Sequence, residues 1–499
     1  MKSSMLTRAV SKGLGPMFDT LIPSNLWHKA PRWTRLLMIF AAGGLAGLGQ
    51  APIDAPALTL LGLGFGLWTI QKSSDTSSFS TGWLLGSGYF AVSLAWIMQP
   101  FLVDFPATGW VAPFALAAMA GGLALFWGVT AALVKGRAPL LICLALLAAE
   151  VIRSYVFTGF PWGLIGYVWI DTPLYQLAAV MGPYGMTLLT LVMAYVVAHA
   201  RLLYAVALIA FAIVLQILPN SAPVTTPDGA AIVRLIHPNV AQSDKWNSDK
   251  MESIYQHHMA LTQADPPVDL IVWSETSVYL PIDVAKSEIA AVAQDAPVIV
   301  GYQSSRAKGL YFNTLGIISP QGELQAEYHK SRLVPFGEYL PLARVAGWFG
   351  LQRVGFLSGD GPSTLKIDGI GQIQPLICYE GIFPQFVGRS SVRPDLLVLI
   401  TNDAWFGAGQ GPAQHFAQAR ARAIELGLPM VRVANRGVST VIDPRGGYGA
   451  RLKGEDTGFV DVPLPARLPT PFFATYPWAA TIFMALWLCV AAFWRRRRT

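Results

Sequence analysis

Eight long apolar stretches constrain what this chain can fold into more than any other feature of its sequence. A helix needs about 20 mostly apolar residues to cross the hydrocarbon core of a membrane. The stretches lie at residues 35–50, 56–71, 82–99, 111–134, 139–158, 174–200, 202–218 and 475–494. Charged residues make up only 13% of the chain, against about 25% in soluble domains. The sequence therefore predicts a polytopic α-helical membrane bundle of about eight spans.

One segment inside this pattern has a different character. Strand-like runs such as "VDLIVWSE" (268–275) alternate there with helix-like runs such as "IDVAKSEIAAVAQ" (282–294). This alternation is typical of an α/β fold with helices outside the sheets, and about 250 residues can bury a full core. We expect four regions: an N-terminal segment at 1–34, seven spans within 35–221, a folded domain at 222–470, and the last span with a basic tail at 471–499.

The distribution of basic residues predicts the orientation of the bundle. Lys and Arg are enriched in cytoplasmic loops, and with eight spans the basic flanks all fall on one side: Lys2, Arg8, Lys12, Lys29, Arg32, Arg35, Lys72, Lys135, Arg137, Arg201 and Arg495 to Arg498. The opposite loops carry Asp54, Asp104 and Asp171 instead. Both termini are therefore expected in the cytoplasm and the folded domain on the outer side. The net charge of +7 comes largely from these anchors, so it does not indicate nucleic-acid binding.

The use of cysteine points to one residue. Cys143 and Cys489 lie in apolar stretches, where cysteine behaves as a small hydrophobe. Cys378, in "PLICYEGIFPQ", is then the one cysteine of the outward domain. An unpaired thiol in an oxidising compartment is normally either buried or used in chemistry. A buried structural cysteine at a strand end fits the position as well as a reactive one does.

Three residues of complementary chemistry lie at predicted strand ends. Glu275 closes "VDLIVWSE", Lys330 follows "QAEYHK", and Cys378 closes "QIQPLIC". A thiol with a pKa of about 8.5 needs a base and a positive group to act as an acyl-transfer nucleophile. Glu275 and Lys330 supply those two functions. A Cys–His pair remains an alternative, with these candidates: His257, His258, His329 and His415.

Four motifs carry a resemblance to a known family. "IVWSETSVYLP", "YHKSRLVPFGEYLPL", "ICYEGIFP" and "TNDAWFG", in that order, resemble the carbon–nitrogen hydrolase (nitrilase) superfamily. With the flanking spans, the chain is similar to its membrane-embedded members, the apolipoprotein N-acyltransferases. The resemblance implies an αββα sandwich and a catalytic triad of Glu275, Lys330 and Cys378. Ser274 stands where the family usually has proline, and we expect this difference to loosen the turn before Glu275.

The resemblance also implies supporting residues around the triad. They are Trp246, Glu338, Tyr379, Glu380, Asn402, Asp403 and Trp405. We expect Glu338 and Glu380 to position Lys330 or the acceptor amine, although a structural hydrogen-bonding role is an equal alternative. Asn402, Asp403 and Trp405 are expected to shape the pocket wall. The apolar segment 335–357 is predicted to form a lid that touches lipid, with an ordinary packed insertion as the alternative.

The function implied by the resemblance is acyl transfer between two lipids. The donor would be a membrane phospholipid and the acceptor the α-amine of the N-terminal S-diacylglyceryl-cysteine of an apolipoprotein, with a thioester on Cys378 between them. The resemblance places such an enzyme in the bacterial inner membrane with its catalytic domain in the periplasm. We expect no cofactor, no metal and no nucleic acid, and a monomer. Two alternatives stay open: a membrane-tethered amidase or nitrilase, and a non-catalytic protein on a hydrolase scaffold.

Overall fold

The computed structural model describes residues 15–72, 78–135, 140–222, 224–307, 309–340 and 355–498. Two compact units divide the chain. The first comprises Met1–Asn220 and Tyr476–Thr499, and the second is Ser221–Thr475. Each unit is described by itself below.

The first unit is helical. Up to residue 220, the helices among the described residues are α1 (Met17–Leu21), α2 (Ser24–Lys29), α3 (Arg32–Gly47), α4 (Pro56–Lys72), α5 (Ser78–Ser93), α6 (Gln99–Leu102), α7 (Phe105–Thr108), α8 (Ala112–Leu133), α9 (Leu140–Tyr155), α10 (Ala178–His199) and α11 (Leu202–Ile217). Glycine lets these helices approach closely. A Cβ atom at Gly62 would lie 2.3 Å from the carbonyl oxygen of Ala42, and one at Gly82 would lie 2.5 Å from that of Trp127. Such contacts are typical of packed membrane helices.

A buried ion pair lies inside this helical unit. Arg153 Nη2 is 2.5 Å from Glu150 Oε2, one turn earlier on α9, and Trp127 Nε1 donates to Glu150 Oε1 at 2.9 Å. Arg153 also donates to the carbonyl oxygen of Trp162 at 2.9 Å. Both charged groups therefore have partners. Such pairing is needed because burying a single unpaired charge costs much free energy.

Helix lengths test the predicted number of membrane crossings. Each of the eight apolar stretches contains a helix. Among the described residues, however, only Phe105–Leu133 and Pro173–His199 are long and apolar enough to cross a membrane. A third candidate is the pair Ser78–Ser93 and Ala95–Leu102, which bends by 65°. The structure therefore supports a membrane-helix region, and the eight-span arrangement stays a prediction.

The described residues of the second unit form twelve strands. They are β1 (Ile232–His237), β2 (Leu270–Val272), β3 (Val298–Ala307), β4 (Leu310–Ile318), β5 (Leu324–His329), β6 (Leu365–Ile367), β7 (Gly371–Ile377), β8 (Leu396–Asn402), β9 (Met430–Asn435), β10 (Val438–Ile442), β11 (Tyr448–Lys453) and β12 (Gly458–Pro463). Two six-stranded sheets result, in the orders β12-β1-β2-β3-β4-β5 and β11-β10-β9-β8-β7-β6. Strands β1, β2 and β3 run parallel, as do β7, β8 and β9, and the outer pairs of both sheets are antiparallel.

The two sheets face each other across one apolar core. Val233, Leu235 and Val272 of the first sheet share this core with Ile377 and Val398 of the second. The described helices of the unit are α12 (Ser248–Thr262), α13 (Ile282–Val292), α14 (Gln410–Leu426) and α15 (Phe472–Thr475). Helices α12 and α13 pack on the outer face of the first sheet, and α14 packs on the second. The predicted αββα sandwich is thus present. The C-terminal helix α16 (Ala479–Arg498) belongs to the first unit.

Parallel strands bring their carboxyl ends to one edge of each sheet. Cys378 directly follows β7, and β8 ends at Asn402. Lys330 directly follows β5. Strand β2 ends at Val272, so Glu275 lies three residues beyond it rather than inside the predicted run 268–275. The sandwich thereby places loops from both sheets where the predicted triad residues lie.

Candidate active site

Cys378 occupies a strained turn between β7 and a short 3₁₀ helix at Cys378–Ile382. Its φ of +52° lies in the left-handed region, which non-glycine residues rarely adopt. Such backbone strain persists only where surrounding contacts enforce it, and it is concentrated at functional sites. The side chain is 7% exposed. The turn therefore presents the thiol at a fixed place at the end of β7.

Two hydrogen bonds and one ammonium group hold Glu275 in place. Its Oε1 accepts a hydrogen bond from Asn313 Nδ2 at 2.7 Å, and its Oε2 accepts one from the backbone N–H of Asn402 at 2.8 Å. Lys330 Nζ lies 3.6 Å from Oε1. Glu275 and Asn313 come from the first sheet and Asn402 from the second. The carboxylate is therefore fixed at the junction of the two sheets.

Lys330 lies between two carboxylates. Its Nζ donates to Glu338 Oε1 at 2.9 Å, and Glu338 Oε2 accepts the backbone N–H of Val334 at 2.8 Å. Asn313 Nδ2 also donates to Glu338, at 3.1 Å. Burial alone would lower the pKa of Lys330, but attraction to Glu338, Glu275 and Cys378 outweighs it and raises the pKa above its ordinary value. The buried ammonium therefore stays charged at neutral pH.

The thiol of Cys378 is neutral at rest. Burial and the neighbouring charge of Glu275 raise its pKa, and together they outweigh Lys330 and the hydroxyl of Thr401, which favour the thiolate. Thr401 is next to Cys378 because the parallel register pairs Ile377 with Ile400. A neutral thiol reacts only if its proton is removed as it attacks. The nearby carboxylate of Glu275 is a base suited to that transfer.

Glu380 is a connector rather than an open carboxylate. It is fully buried. Its Oε1 accepts hydrogen bonds from the Tyr328 hydroxyl at 2.7 Å and from the backbone N–H groups of Ser331 and Arg332 at 2.7 and 3.2 Å. Its Oε2 accepts the backbone N–H of Ile377 at 2.9 Å. Glu380 therefore ties the turn that carries Cys378 to the loop that carries Lys330.

Asp403 belongs to a buried charged cluster behind the nucleophile. Arg432 Nη2 donates to its Oδ2 at 2.6 Å, and His415 Nδ1 is 2.9 Å from its Oδ1. His415 Nε2 is in turn 3.2 Å from the carbonyl oxygen of Cys378. Burial would raise the pKa of Asp403, but Arg432 and His415 outweigh it and lower the pKa. Of the four histidines considered, His415 thus contacts the nucleophile, through its backbone.

The remaining predicted residues differ in exposure. Asn402 is buried and donates to Gln242 Oε1 at 2.8 Å. Trp246 is 51% exposed, and its ring meets that of Tyr279 edge to face with 5.8 Å between the ring centroids. Trp405 is 43% exposed. Tyr379 is buried, and its ring packs against Phe383. Two aromatic side chains thus reach the surface, and the polar residues and Tyr379 lie beneath it.

Both halves of the chain match families. Residues 42–196 match the apolipoprotein N-acyltransferase N-terminal domain, and residues 230–466 match the carbon-nitrogen hydrolase family. An apolipoprotein N-acyltransferase from Brucella melitensis is 32% identical over 92% of this chain and 95% of its own length. Those of Caulobacter vibrioides and Rhizobium leguminosarum are 35% identical, over 84% and 86% of this chain and 88% and 89% of theirs. Among solved structures, an amidase from Nesterenkonia sp. is 20% identical over 49% of this chain and 94% of its own, with a TM-score of 0.37.

The chain belongs to the apolipoprotein N-acyltransferase family. It is therefore an acyltransferase enzyme, as the sequence motifs predicted. The match extends beyond the hydrolase domain into residues 42–196, and this wider match favours the N-acyltransferases over the amidases of the same superfamily.

Sequence reasoning missed several residues of this N-acyltransferase site. Asn313, in the middle of β4, bridges Glu275 and Glu338. Lys245 is buried beside the backbone of Glu275. A buried polar residue inside an apolar strand was the available signal for Asn313, because such a group needs partners. For Lys245, directly before Trp246, no signal distinguished it from a surface lysine.

The predicted lid lies mostly outside the described residues, because 341–354 are not among them. Its described beginning contains Phe336, which has a φ of +65° and is 75% exposed. The lid stays a prediction.

Proposed function

We propose that this enzyme transfers a fatty acyl chain from a membrane phospholipid to the α-amine of an N-terminal S-diacylglyceryl-cysteine of lipoproteins, through a thioester on Cys378. Family membership supports the N-acyl transfer itself. One observation carries the assignment of the residues: Glu275 and Lys330 lie 3.6 Å apart in a buried site, electrostatically coupled to a cysteine held in a strained turn.

The first half-reaction forms the acyl-enzyme. Glu275 takes the thiol proton while Cys378 Sγ bonds to the ester carbonyl carbon of the phospholipid. Lys330 and backbone N–H groups around Tyr379 stabilise the oxyanion, and removing one such donor typically slows a reaction by about 10²–10³-fold. The carbon–oxygen bond then breaks, Glu275 returns the proton to the departing oxygen, and lysophospholipid leaves. Cys378 carries the acyl chain as a thioester.

The second half-reaction transfers the chain. The neutral α-amine of the lipoprotein attacks the thioester carbonyl, and Glu275 accepts the proton that the nitrogen loses. The carbon–sulfur bond breaks, and Cys378 regains a proton from Glu275. The product is an amide, and the enzyme returns to its starting state, which is a ping-pong scheme.

The supporting residues have separate roles in this proposal. Glu338 positions Lys330 through their 2.9 Å contact, and Glu380 fixes the Cys378 turn relative to the loop after β5. Trp246, Tyr379, Asn402 and Trp405 contribute to the pocket, while Asp403 supports it from behind. No cofactor takes part in either step.

The setting of the enzyme is proposed from its sequence. Basic loop flanks and the eight apolar stretches favour eight spans in the bacterial inner membrane, with both termini in the cytoplasm and residues 222–470 in the periplasm. The lipid donor and the lipidated acceptor both reside in the bilayer. We propose a monomer, since nothing in the sequence resembles an assembly motif.

Intact-mass spectrometry tests the proposed reaction. The purified protein is incubated first with phospholipid alone and then with a diacylglyceryl-cysteine peptide. A fatty-acyl mass should appear on Cys378, persist in water, and move to the peptide amine. An adduct lost to water without reaching the peptide would support the membrane-tethered amidase instead, and no adduct would exclude the thioester.

A further inference from the structure

One buried cation of the site has no part in the scheme above. Lys245 lies between β1 and α12, and its side chain is buried. Its Nζ donates a hydrogen bond to the backbone carbonyl oxygen of Glu275 at 2.8 Å. A lysine this buried is uncommon, because removing an ammonium group from water is costly unless it is paired.

The pairing of Lys245 differs from that of Lys330. Within the described ranges, no carboxylate oxygen lies within 4 Å of Lys245 Nζ, whereas Lys330 Nζ has two such carboxylates, Glu275 and Glu338. Burial lowers the pKa of Lys245 to about 8, against partial compensation by attraction to Glu275 and Cys378. Its charge is therefore directed at the reacting groups instead of being neutralised by a partner of its own.

Lys245 also holds a turn that lacks proline. The residue before Glu275 is Ser274, and the residue after it, Thr276, has a φ of +48°. Gly301 packs against this turn so closely that a Cβ atom there would lie 2.8 Å from the Cα of Glu275. The hydrogen bond from Lys245 fixes the carbonyl group of Glu275 in the same turn. Loss of that bond would free the turn that aims the carboxylate.

We propose that Lys245 is a positioning residue of the acyl-transfer site, which holds the Glu275 turn and supplies a second positive charge that favours the Cys378 thiolate. This inference rests on the proposed function, since it assigns Lys245 to the same Glu275 and Cys378. Three titratable groups face it: Glu275, Cys378 and His258. His258 is uncharged at neutral pH because burial lowers its pKa to about 4. A change of charge near pH 8 in this cluster therefore belongs to Lys245.

The test compares Lys245→Met and Lys245→Arg with a matched control, Lys250→Met. Lys250 is half-exposed and pairs with Asp244. We measure how fast a small neutral alkylating reagent modifies Cys378 from pH 6 to pH 10. The full-length, detergent-solubilised protein is used. The rate of acyl-enzyme formation from phospholipid is measured alongside by intact mass.

We expect Lys245→Met to slow alkylation about tenfold at pH 7, because the loss of a positive charge attracted to Cys378 lowers the fraction of thiolate. That ratio should shrink above pH 8, where Lys245 of the natural protein loses its proton. Lys245→Arg should match the natural protein at pH 7 and exceed it above pH 8, because arginine stays charged. Lys250→Met should follow the natural protein throughout.

Two results would overturn the inference. One is a Lys245→Met rate within twofold of the natural protein at pH 7, and the other is a slowing by the same factor at every pH, as a purely structural role would produce. If Lys245→Met fails to fold, the profile of Lys245→Arg decides: no gain over the natural protein above pH 8 rejects the charge. Failure of the natural protein to form an acyl adduct would reject the proposed function instead, independently of these alkylation ratios.

Discussion

At the scale of residues, the side chains proposed to react differ from those that hold the site together. Cys378 and Glu275 are positioned by contacts made to their neighbours and backbone, whereas Glu380 and Asp403 are saturated with donors. Glu380 accepts hydrogen bonds from five donors and Asp403 from three, so both carboxylates are committed to structural contacts. Glu275 has two hydrogen bonds and one more distant ammonium, and it is the carboxylate of this set whose charge acts most strongly on Cys378.

Cys378→Ala should abolish acyl transfer and leave the fold intact. The substitution removes the nucleophile but only one sulfur atom from the core, and alanine meets the same left-handed backbone. We expect no acyl adduct and no transfer to the peptide, with a change in unfolding free energy of about 1 kcal/mol or less. Intact mass and thermal unfolding check both parts. Full turnover by the folded variant would contradict the covalent mechanism.

Asn313→Ala should slow catalysis without unfolding the protein. Asn313 Nδ2 donates to both Glu275 and Glu338, so its loss frees two carboxylates that flank Lys330. A misplacement of about 1 Å can cost about 100-fold in rate, and we expect a 10–100-fold fall in the rate of acyl-enzyme formation. The rate is measured at saturating phospholipid. A rate within twofold of the natural protein would show that the bridge is dispensable.

Sequence could identify the chemistry of these residues but not their connections. Glu275, Lys330 and Cys378 lie at predicted strand ends within motifs that resemble a known family, so the sequence alone identifies them as candidate site residues. Asn313 and Lys245 act through contacts between segments 38 and 30 residues apart. Those contacts arise only when strands of the first sheet and the loop after β1 converge, which periodicity in the sequence does not encode.

At the scale of elements, apolar periodicity predicted the central strands and missed the edges. Buried strands such as β8 consist of uninterrupted apolar residues and are recognisable. Strand β11 (Tyr448–Lys453) is mostly exposed and polar, and β6 (Leu365–Ile367) has three residues. Edge strands of this kind are defined by hydrogen bonds to a neighbour rather than by their own composition. They become visible only in the assembled sheet.

Helix α12 contains a group that should make the catalytic unit sensitive to acid. His258 is buried against Trp273, at 4.8 Å between ring centroids, and its Nδ1 bonds the carbonyl oxygen of Ile254. Among the described residues its Nε2 has no hydrogen-bond partner. Burial, with His257 and Lys245 nearby, lowers its pKa to about 4. Protonation would therefore place an unpaired charge in the core.

The sign of the pH effect follows from proton uptake. Between about pH 6.5 and pH 4, His258 is protonated in the unfolded chain and neutral in the folded one, so stability falls as pH falls through this range. Lowering the pKa of His258 from 6.5 to about 4 corresponds to about 3 kcal/mol of unfolding free energy, lost in full only below pH 4. His258→Leu should lose this part of the pH dependence, while His257→Leu, at an exposed neighbour, should keep it. Urea unfolding at pH 7 and pH 4.5 gives the unfolding free energy of each variant. An equal loss of unfolding free energy between the two pH values in both variants would contradict the assignment.

At the scale of the whole molecule, helix length is what separates the predicted topology from the observed helices. Five apolar helices in the first unit have 16 or 17 residues, which is about 24–26 Å of helix at 1.5 Å per residue. The hydrocarbon core is about 30 Å thick. Short spans can be accommodated by local thinning of the bilayer and by flanking residues. Hydropathy therefore identifies the apolar stretches, but it does not by itself fix how many of them cross the membrane.

Cysteine labelling tests the topology. In a background that lacks Cys143, Cys378 and Cys489, single cysteines replace Lys29, Asp104 or Lys366. The eight-span arrangement predicts that a membrane-impermeant maleimide labels positions 104 and 366 in cells whose outer membrane has been opened. Position 29 should be labelled only after the inner membrane is lysed, because the basic N-terminal flank is predicted in the cytoplasm.

Each of the three positions tests a different part of the predicted topology. Labelling of position 366 only after lysis would place the catalytic unit in the cytoplasm and contradict the proposed setting. Positions 29 and 104 on the same side would mean an even number of crossings between them instead of the three predicted, with one of the 16- or 17-residue helices not spanning. Labelling as predicted would show an odd number of crossings between positions 29 and 104, which agrees with the three that α3, α4 and α5 would supply and excludes two.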